Sequence, residues 1–440
     1  MINITISIAL LVTGNLIGAG ILGIPITGGL AGALPSIITM AVFMIAMFYT
    51  AVVLADEAIV TGDEAFNYPS LYAKYLGPIG KWVATLANML ILYGLLIAYL
   101  AGGASVITQF FCLSPANKTV LPIFFLIMTL LTIMGIELIK KCNVFLIVLL
   151  WSSFIVISII GLRYMVPTHF SNINLSMVPL SAPIILTAFH FHNIIPNISQ
   201  NAGWNKKIIY SAMLIGMIIG FILNAMWLII GIGVLPFSQG ADSISYSYAH
   251  NITSITPMMK IIENPAFLIF ALTFTIVAII TSYFANGLGL MGFSKDLVEN
   301  YFKNRNKLLQ IAITFLPPLI ISMINPDIFL KAIDIVGGIG IVVLFGILPS
   351  VISVINPRRS FLFKAFSVIM LVLFTSVFLY QAGIKLDIIH MKIPYTILSS
   401  QPPNKLNVVK VMRTKKPKLD SKYPAASMAN WSMPKKAMNS

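Results

Sequence analysis

The chain has 440 residues, of which 58% are apolar and only 9% carry a charge. A soluble domain carries about 25% charged residues, so this composition excludes a soluble enzyme and an intrinsically disordered chain alike. The net charge of +15 does not point to nucleic acid, because most basic residues fall in short connections between apolar runs, where they set orientation across a bilayer.

Eleven apolar segments follow one another, at about 4–30, 34–60, 80–110, 119–137, 142–165, 182–200, 206–235, 264–294, 306–325, 334–356 and 358–382. They approach or exceed the roughly 20 residues that a helix needs to cross the hydrocarbon core. Lipid offers the backbone no hydrogen-bond partner, so these segments are predicted to be helices, numbered here as spans 1 to 11. Their continuous apolar character is unlike the alternating strands of about ten residues in an outer-membrane barrel. No basic stretch precedes the first segment, which runs past signal-peptide length and reads as a retained span.

With the amino terminus in the cytoplasm, the inner connections carry 13 Lys and Arg and the outer ones 4, the orientation that the positive-inside rule selects. Residues 383–440 hold the other 11 basic residues against two acids, Asp387 and Asp420. Rich in Lys, Pro, Ser and Asn, this tail reads as disordered, and eleven spans leave it outside, against the trend of the rule. Cys112 and Cys142 flank one apolar run, so they are expected on opposite faces and form no disulfide framework.

Two spans contain helix breakers. Span 1 reads Gly14-Asn15-Leu16-Ile17-Gly18-Ala19-Gly20-Ile21-Leu22-Gly23-Ile24-Pro25, and span 6 reads Ala188-Phe189-His190-Phe191-His192-Asn193-Ile194-Ile195-Pro196. Glycine and proline weaken the helical ladder at both places. Interrupted helices in corresponding positions of two halves point to a transporter site, where half-helix amino termini take an anionic group and freed carbonyls take a cation. The G-x-G-x-x-G match from Gly18 to Gly23 has no βαβ unit around it and marks no dinucleotide site. Gly14 and Gly18 also form G-x-x-x-G, a helix-packing pattern.

His190 and His192 would point about 200° apart on a regular helix, and no acid or cysteine lies near them in sequence, so no metal is expected. Asp56 and Glu57 close span 2, either as a solvated pair or, for Asp56, as a titrating gate residue. Thr281 and Ser282 in span 8 could ligate a cation or bond back to their own helix. The chain has no phosphate-binding G-x-x-x-x-G-K-[ST] loop, and no cofactor is expected.

The stretches Ile17 to Pro25, Tyr49 to Leu54, Phe189 to Pro196, Thr281 to Phe284 and Ile313 to Leu319 resemble, in order and spacing, the bacterial aromatic amino acid permeases for tyrosine and tryptophan, within the hydroxy- and aromatic-amino-acid permease group. The resemblance implies an all-α polytopic membrane protein of about eleven helices with the leucine-transporter-type fold. In a transporter domain over 1–382, spans 1–5 (about 4–165) and 6–10 (about 182–356) would be inverted repeats, with an extra helix at 358–382. It further implies proton-driven uptake of an aromatic L-amino acid across the inner membrane, and no enzyme activity. The expected partners are that substrate, protons and the lipid bilayer, without nucleic acid.

Carried over by position, Gly18, Ala19 and Gly20 form the span-1 break, with Asn15 and Ile17 beside them. His192 matches the family histidine, and Asp56 takes the place of an acid at the end of span 2. His190 stands where relatives have glycine, and Asn15 and Leu16 replace a threonine pair. Substrate contacts are expected from the span-1 residues and from His190, His192 and Asn193, with Phe189, Phe191, Tyr93 and Tyr99 forming an aromatic pocket. His192 is favoured over Asp56 as proton carrier. The competing readings are a serine/threonine carrier, a sodium-coupled carrier using Thr281 and Ser282, and a non-transporting amino acid sensor.

Overall fold

In a computed structural model, residues 2–62, 67–111, 113, 119–134, 136–238, 240–301 and 306–390 are described. Cys112, Lys118, Lys303, Arg305, the side chains of Ala19 and Cys142, and the tail beyond His390 lie outside the described residues. Among the described residues every regular element is helical, as expected where the backbone must satisfy its own hydrogen bonds in lipid.

Each of the eleven apolar segments coincides with a helix or a broken helix. Span 1 comprises Ile2–Leu16, a tight turn Ala19–Gly23 and Ile24–Ala31, and span 2 is Ala33–Thr61. Span 3 is Tyr68–Phe110, span 4 the short Val120–Ile133 and span 5 Ile136–Leu162. Span 6 comprises Val178–Ala188, a turn His192–Ile194 and Ile195–Asn201. Spans 7 to 9 are Lys206–Val234, Pro265–Tyr301 and Lys307–Ile324. Span 10 runs through Phe329–Ile335, Val336–Ile347 and Leu348–Ile355, and span 11 is Phe361–Lys385.

Span 3 begins a dozen residues earlier than hydropathy suggests. Gly77 adopts φ 65°, ψ −158°, a left-handed conformation that glycine permits, and Pro78 follows it. The turn separates a leading amphiphilic piece from the apolar run. Asn67, Asn205, Asn306 and Ser360 cap the starts of spans 3, 7, 9 and 11, each accepting a backbone N–H of the first turn.

Lipid-facing stripes repeat at helical spacing. Ile38, Val42 and Ile45 on span 2, and Ile215, Ile218 and Ile222 on span 7, are exposed. Inside, small residues bring helices together. A Cβ on Gly216 would meet the Ala9 carbonyl at 2.7 Å, and one on Gly220 would meet Leu16 at 2.5 Å, so the first half of span 1 is seated on a G-x-x-x-G face of span 7. Gly14, by contrast, has nothing within 4 Å of a Cβ. The packing role considered for Gly14 and Gly18 is therefore filled by the pair on span 7.

The two halves have a common pattern. Their first members, spans 1 and 6, are broken, and their third members, spans 3 and 8, are the longest among the described residues, 43 residues across the Gly77 turn and 37, and pack on each other. Span 10 departs from the α-helix in a way not anticipated from sequence: Val336–Ile347 is wound in wide i→i+5 turns.

Candidate functional site

The span-1 helix stops at Leu16, Gly18 is extended (φ −86°, ψ −168°), and the chain restarts at Ala19. The first amides of a restarting helix have no acceptor inside it; Ile21 is the first to close a bond, to the Gly18 carbonyl at 3.2 Å. A Cβ on Gly20 would lie 3.7 Å from the backbone of Ala188, where the first half of span 6 ends. The two breaks thus face each other, with an amide-rich start from span 1 set against the carbonyl end of a span-6 half-helix. Partial positive and negative ends at one point suit the carboxylate and ammonium of a zwitterion.

A cavity of about 1100 Å³ opens from these breaks toward the end of the molecule that holds Asn3, Ser7 and Asn201. That exceeds the roughly 300–1,000 Å³ usual for a ligand pocket, because the cavity includes a path to the surface. On the other side of the break Ile21, Leu22, Ile24 and Ile26 are fully buried, which closes that end. Among the described residues no Asp, Glu, Lys or Arg lines the cavity. Its polar atoms come from amides and hydroxyls, including Asn15, Asn193, Asn286, Ser282 and Thr281, and its rings from Tyr99, Trp151 and His190.

The expected site residues separate into three groups. Asn15, Gly18, Gly20, Tyr99, His190, Asn193, Thr281 and Ser282 line the cavity. The Thr281 hydroxyl donates back to the carbonyls of Val277 and Ala278 at 2.9 and 3.1 Å, and a Cβ on Gly18 would sit 3.2 Å from the Ser282 hydroxyl. Ile17, Phe189, Phe191, Tyr93 and His192 are not among the lining residues. Tyr93 donates to the Ile313 carbonyl at 2.7 Å and faces span 9. Phe189 is fully buried against Phe221, and Phe191 against the His192 ring. Of the four residues expected to form the aromatic pocket, Tyr99 alone lines the cavity; Tyr93 is turned to span 9, and Phe189 and Phe191 are turned into the core where the chain leaves the helix after Ala188.

Asp56 forms the third group, at the end of span 2. It pairs with Arg359 at 2.5 Å and Lys206 at 2.9 Å and accepts from the Tyr210 hydroxyl. Neighbouring Glu57 is buried and accepts from Tyr75 at 2.8 Å and Asn356 at 3.1 Å. Of the two alternatives for this pair, a solvated helix end does not describe it: Asp56 joins span 2 to span 7 and to Arg359 just before span 11, and Glu57 joins span 2 to Tyr75 of span 3 and Asn356 at the end of span 10.

The same irregular turn that hides the phenylalanines stacks His190 and His192, with ring centroids 6.0 Å apart and planes within 4°. Stacked rings do not converge their nitrogens on one ion. His190 is buried, and its Nε2 meets no partner among the described residues. The His192 Nε2 lies 2.9 Å from the Thr50 hydroxyl, its carbonyl accepts from Tyr68, and its Nδ1 is unpartnered. Phe345 of span 10 packs on both imidazoles, at 4.9 and 5.1 Å. Thr50 lies in a stretch that carried the family resemblance, but Phe345, Trp151, Thr187 and Asn286 gave no separate signal.

A model described as the tryptophan/tyrosine permease family matches residues 1–390. The chain is 25% identical to a tyrosine-specific transport system of Haemophilus influenzae, over 76% of this chain and 84% of that protein. It is also 25% identical to a glutamine transporter of Aliivibrio fischeri, over 77% and 84%. Among solved structures, MhsT in complex with L-phenylalanine superposes with a TM-score of 0.57 at 13% identity, covering 85% of this chain and 97% of that one. The fold is therefore the leucine-transporter type, in an all-helical, multi-pass membrane protein.

Proposed function

Because the chain belongs to the tryptophan/tyrosine permease family, a family of amino acid transporters, we propose that it imports an aromatic L-amino acid, tyrosine or tryptophan, in symport with protons. The observation that carries this reading is the cavity at two facing helix breaks, which no charged side chain lines among the described residues. The substrate carboxylate would bind the Ala19 and Gly20 amides, and the ammonium the carbonyls ending the opposed half-helix. The ring would lie among Tyr99, Trp151 and His190. A cavity without a charged side chain favours a neutral zwitterion over acidic or basic amino acids, since an unpaired charge is costly away from water.

The proposed orientation has the amino terminus in the cytoplasm of the inner membrane, so the present cavity faces inward. Spans 1–5, about 4–165, and 6–10, about 182–356, would be the inverted repeats within a transporter domain over 1–382, with span 11 outside them and 383–440 as a basic tail. Of the two groups expected to carry the proton, Asp56 is held by three donors and acts better as a structural tie. His192, whose Nδ1 has no partner among the described residues, is the better carrier.

A second reading, a polar neutral substrate such as glutamine, is favoured by the amides of Asn15, Asn193 and Asn286 on the wall. Binding of labelled tyrosine to purified protein, competed by a panel of unlabelled amino acids, separates the two. Tyrosine and tryptophan competing far better than glutamine and serine is the expected order, and the reverse order would replace the aromatic reading.

A further inference from the structure

Span 10 carries one acid, Asp334, near the end of the molecule opposite the amino terminus. It is 9% exposed. Its Oδ2 meets the Lys385 ammonium of span 11 at 3.5 Å, and its Oδ1 has no partner among the described residues. The contrast with the other acids is plain: Asp56 and Glu57 each have two or more donors, and Asp242 is paired with Lys260 at 2.9 Å in a more exposed place. A buried carboxylate with one long ion pair and one bare oxygen lacks the donors that usually hold such a charge inside a protein.

The span 10–span 11 interface is short of hydrogens at a second atom. Gln381, one turn before Lys385, donates its amide to the Pro179 carbonyl at 3.2 Å, yet its Oε1 has no donor. Its stem packs where a Cβ on Gly338 would sit. The other titratable groups around Asp334 are Tyr380 of span 11 and Tyr248 of the short helix Ile244–Ala249; Lys331, one turn earlier on its own helix, is exposed. Spans 3 and 6, which pack on the remaining sides, bring no charged residue in the half that faces it.

Span 10 also links this acid to the substrate cavity. Three residues beyond Asp334, a Cβ on Gly337 would stand 1.9 Å from the Pro183 carbonyl and 2.5 Å from the Thr187 hydroxyl, and Thr187 lines the cavity. The wide-turn segment begins at Val336, so the contact is made by the least regular part of the helix, where turns can be exchanged without breaking a complete α-helical ladder.

We propose that Asp334 is a proton-binding site of the transport cycle, reached from the outer face, whose ion pair with Lys385 holds spans 10 and 11 together until a proton neutralises the carboxylate. The proton bonds to Oδ1, cancelling the attraction to Lys385 and giving the carboxyl a hydrogen to donate. Spans 10 and 11 are then free to shift at their outer ends, and span 10 passes the movement to Thr187. The inference rests on the proton-symport reading, but not on which central group is involved.

Infrared difference spectra of the purified full-length protein, recorded between acid and neutral pH without substrate, read carboxyl protonation directly. A component of the protonated-carboxyl band is expected in the wild type, retained in Asp56→Asn and lost in Asp334→Asn. In Lys385→Gln its midpoint should move to higher pH, since removing a cation weakens support for the charged form. A band that persists unaltered in Asp334→Asn overturns the proposal. If that variant does not fold, an unmoved midpoint in Lys385→Gln does so.

Proteoliposomes supply the second readout. In Asp334→Asn the roughly 50-fold accumulation that one proton sustains across about 100 mV should fall to equilibration, while exchange of labelled tyrosine at equal pH persists. Full accumulation in this variant overturns the proposal. Wild-type uptake that ignores the proton gradient, together with an Asp334-dependent band, would leave the acid as a proton site and remove the symport reading instead.

Discussion

At Gly20 a Cβ would stand 3.7 Å from Ala188 and from the Thr187 methyl, an ordinary contact, so Gly20→Ala should fold and bind. Gly20→Val places a branched group between the two breaks. Its affinity for labelled tyrosine is expected to fall by at least about tenfold, near 1.4 kcal/mol, with undiminished yield of inserted protein. Wild-type affinity in that variant would remove the span-1 break from the proposed site. His190 allows a sharper test, because it lines the cavity and its buried Nε2 has no partner among the described residues, which leaves it able to accept from a substrate hydroxyl. His190→Ala should reduce preference for tyrosine over phenylalanine by about 1 kcal/mol, the net contribution of one hydrogen bond, and also lower the stability of the empty protein, because the ring is buried against His192 and Phe345. An unchanged tyrosine-to-phenylalanine ratio in competition binding would exclude that contact. The glycine cluster and the paired histidines were legible in the sequence because breakers and ionisable groups stand out in an apolar run. Which neighbours face the cavity was not: at an irregular turn, hydropathy does not distinguish Phe189, buried on Phe221, from His190 on the wall.

The eleven helices were readable because lipid leaves an apolar segment of sufficient length one way to satisfy its backbone. Span 4 is the shortest, 14 residues or about 21 Å at 1.5 Å per residue. The wide turns of span 10 escaped notice because Gly337, Gly338 and Gly340 sit in a run that otherwise looks like any apolar helix. Their purpose is visible only in three dimensions, where span 10 closes on spans 3, 6 and 11. At Gly337 an added methyl would collide with the Pro183 carbonyl, a backbone atom that cannot rotate away. Gly337→Ala is therefore expected to lower stability by about 1–3 kcal/mol, as overpacked cores do, and to lower the melting temperature of the purified protein. A melting temperature equal to wild type would mean that spans 6 and 10 are less tightly joined than this geometry requires.

For the molecule as a whole, the cavity opens toward the amino-terminal end, and the charges around Asp56 gather at that same end. Asp56, Lys206, Arg359 and Tyr210 join spans 2, 7 and 11, a network invisible in sequence because its members lie up to 303 residues apart. Asp56→Asn removes the carboxylate that pairs with both Lys206 and Arg359, the latter 14% exposed. A stability loss of about 2 kcal/mol is expected, within the range for hydrogen bonds to charged groups, and an unfolding midpoint unchanged from wild type would assign the network to solvent. Substrate release toward that end, and capture from the other, would make the protein an importer in the proposed orientation. The most direct measurement is uptake of labelled tyrosine by proteoliposomes holding the full-length protein, under an inward proton gradient and potential in sodium-free buffer. Accumulation against the gradient, competed by tryptophan and phenylalanine but not by serine, is the predicted result; uptake that needs sodium, ignores protons or prefers serine would contradict aromatic proton symport.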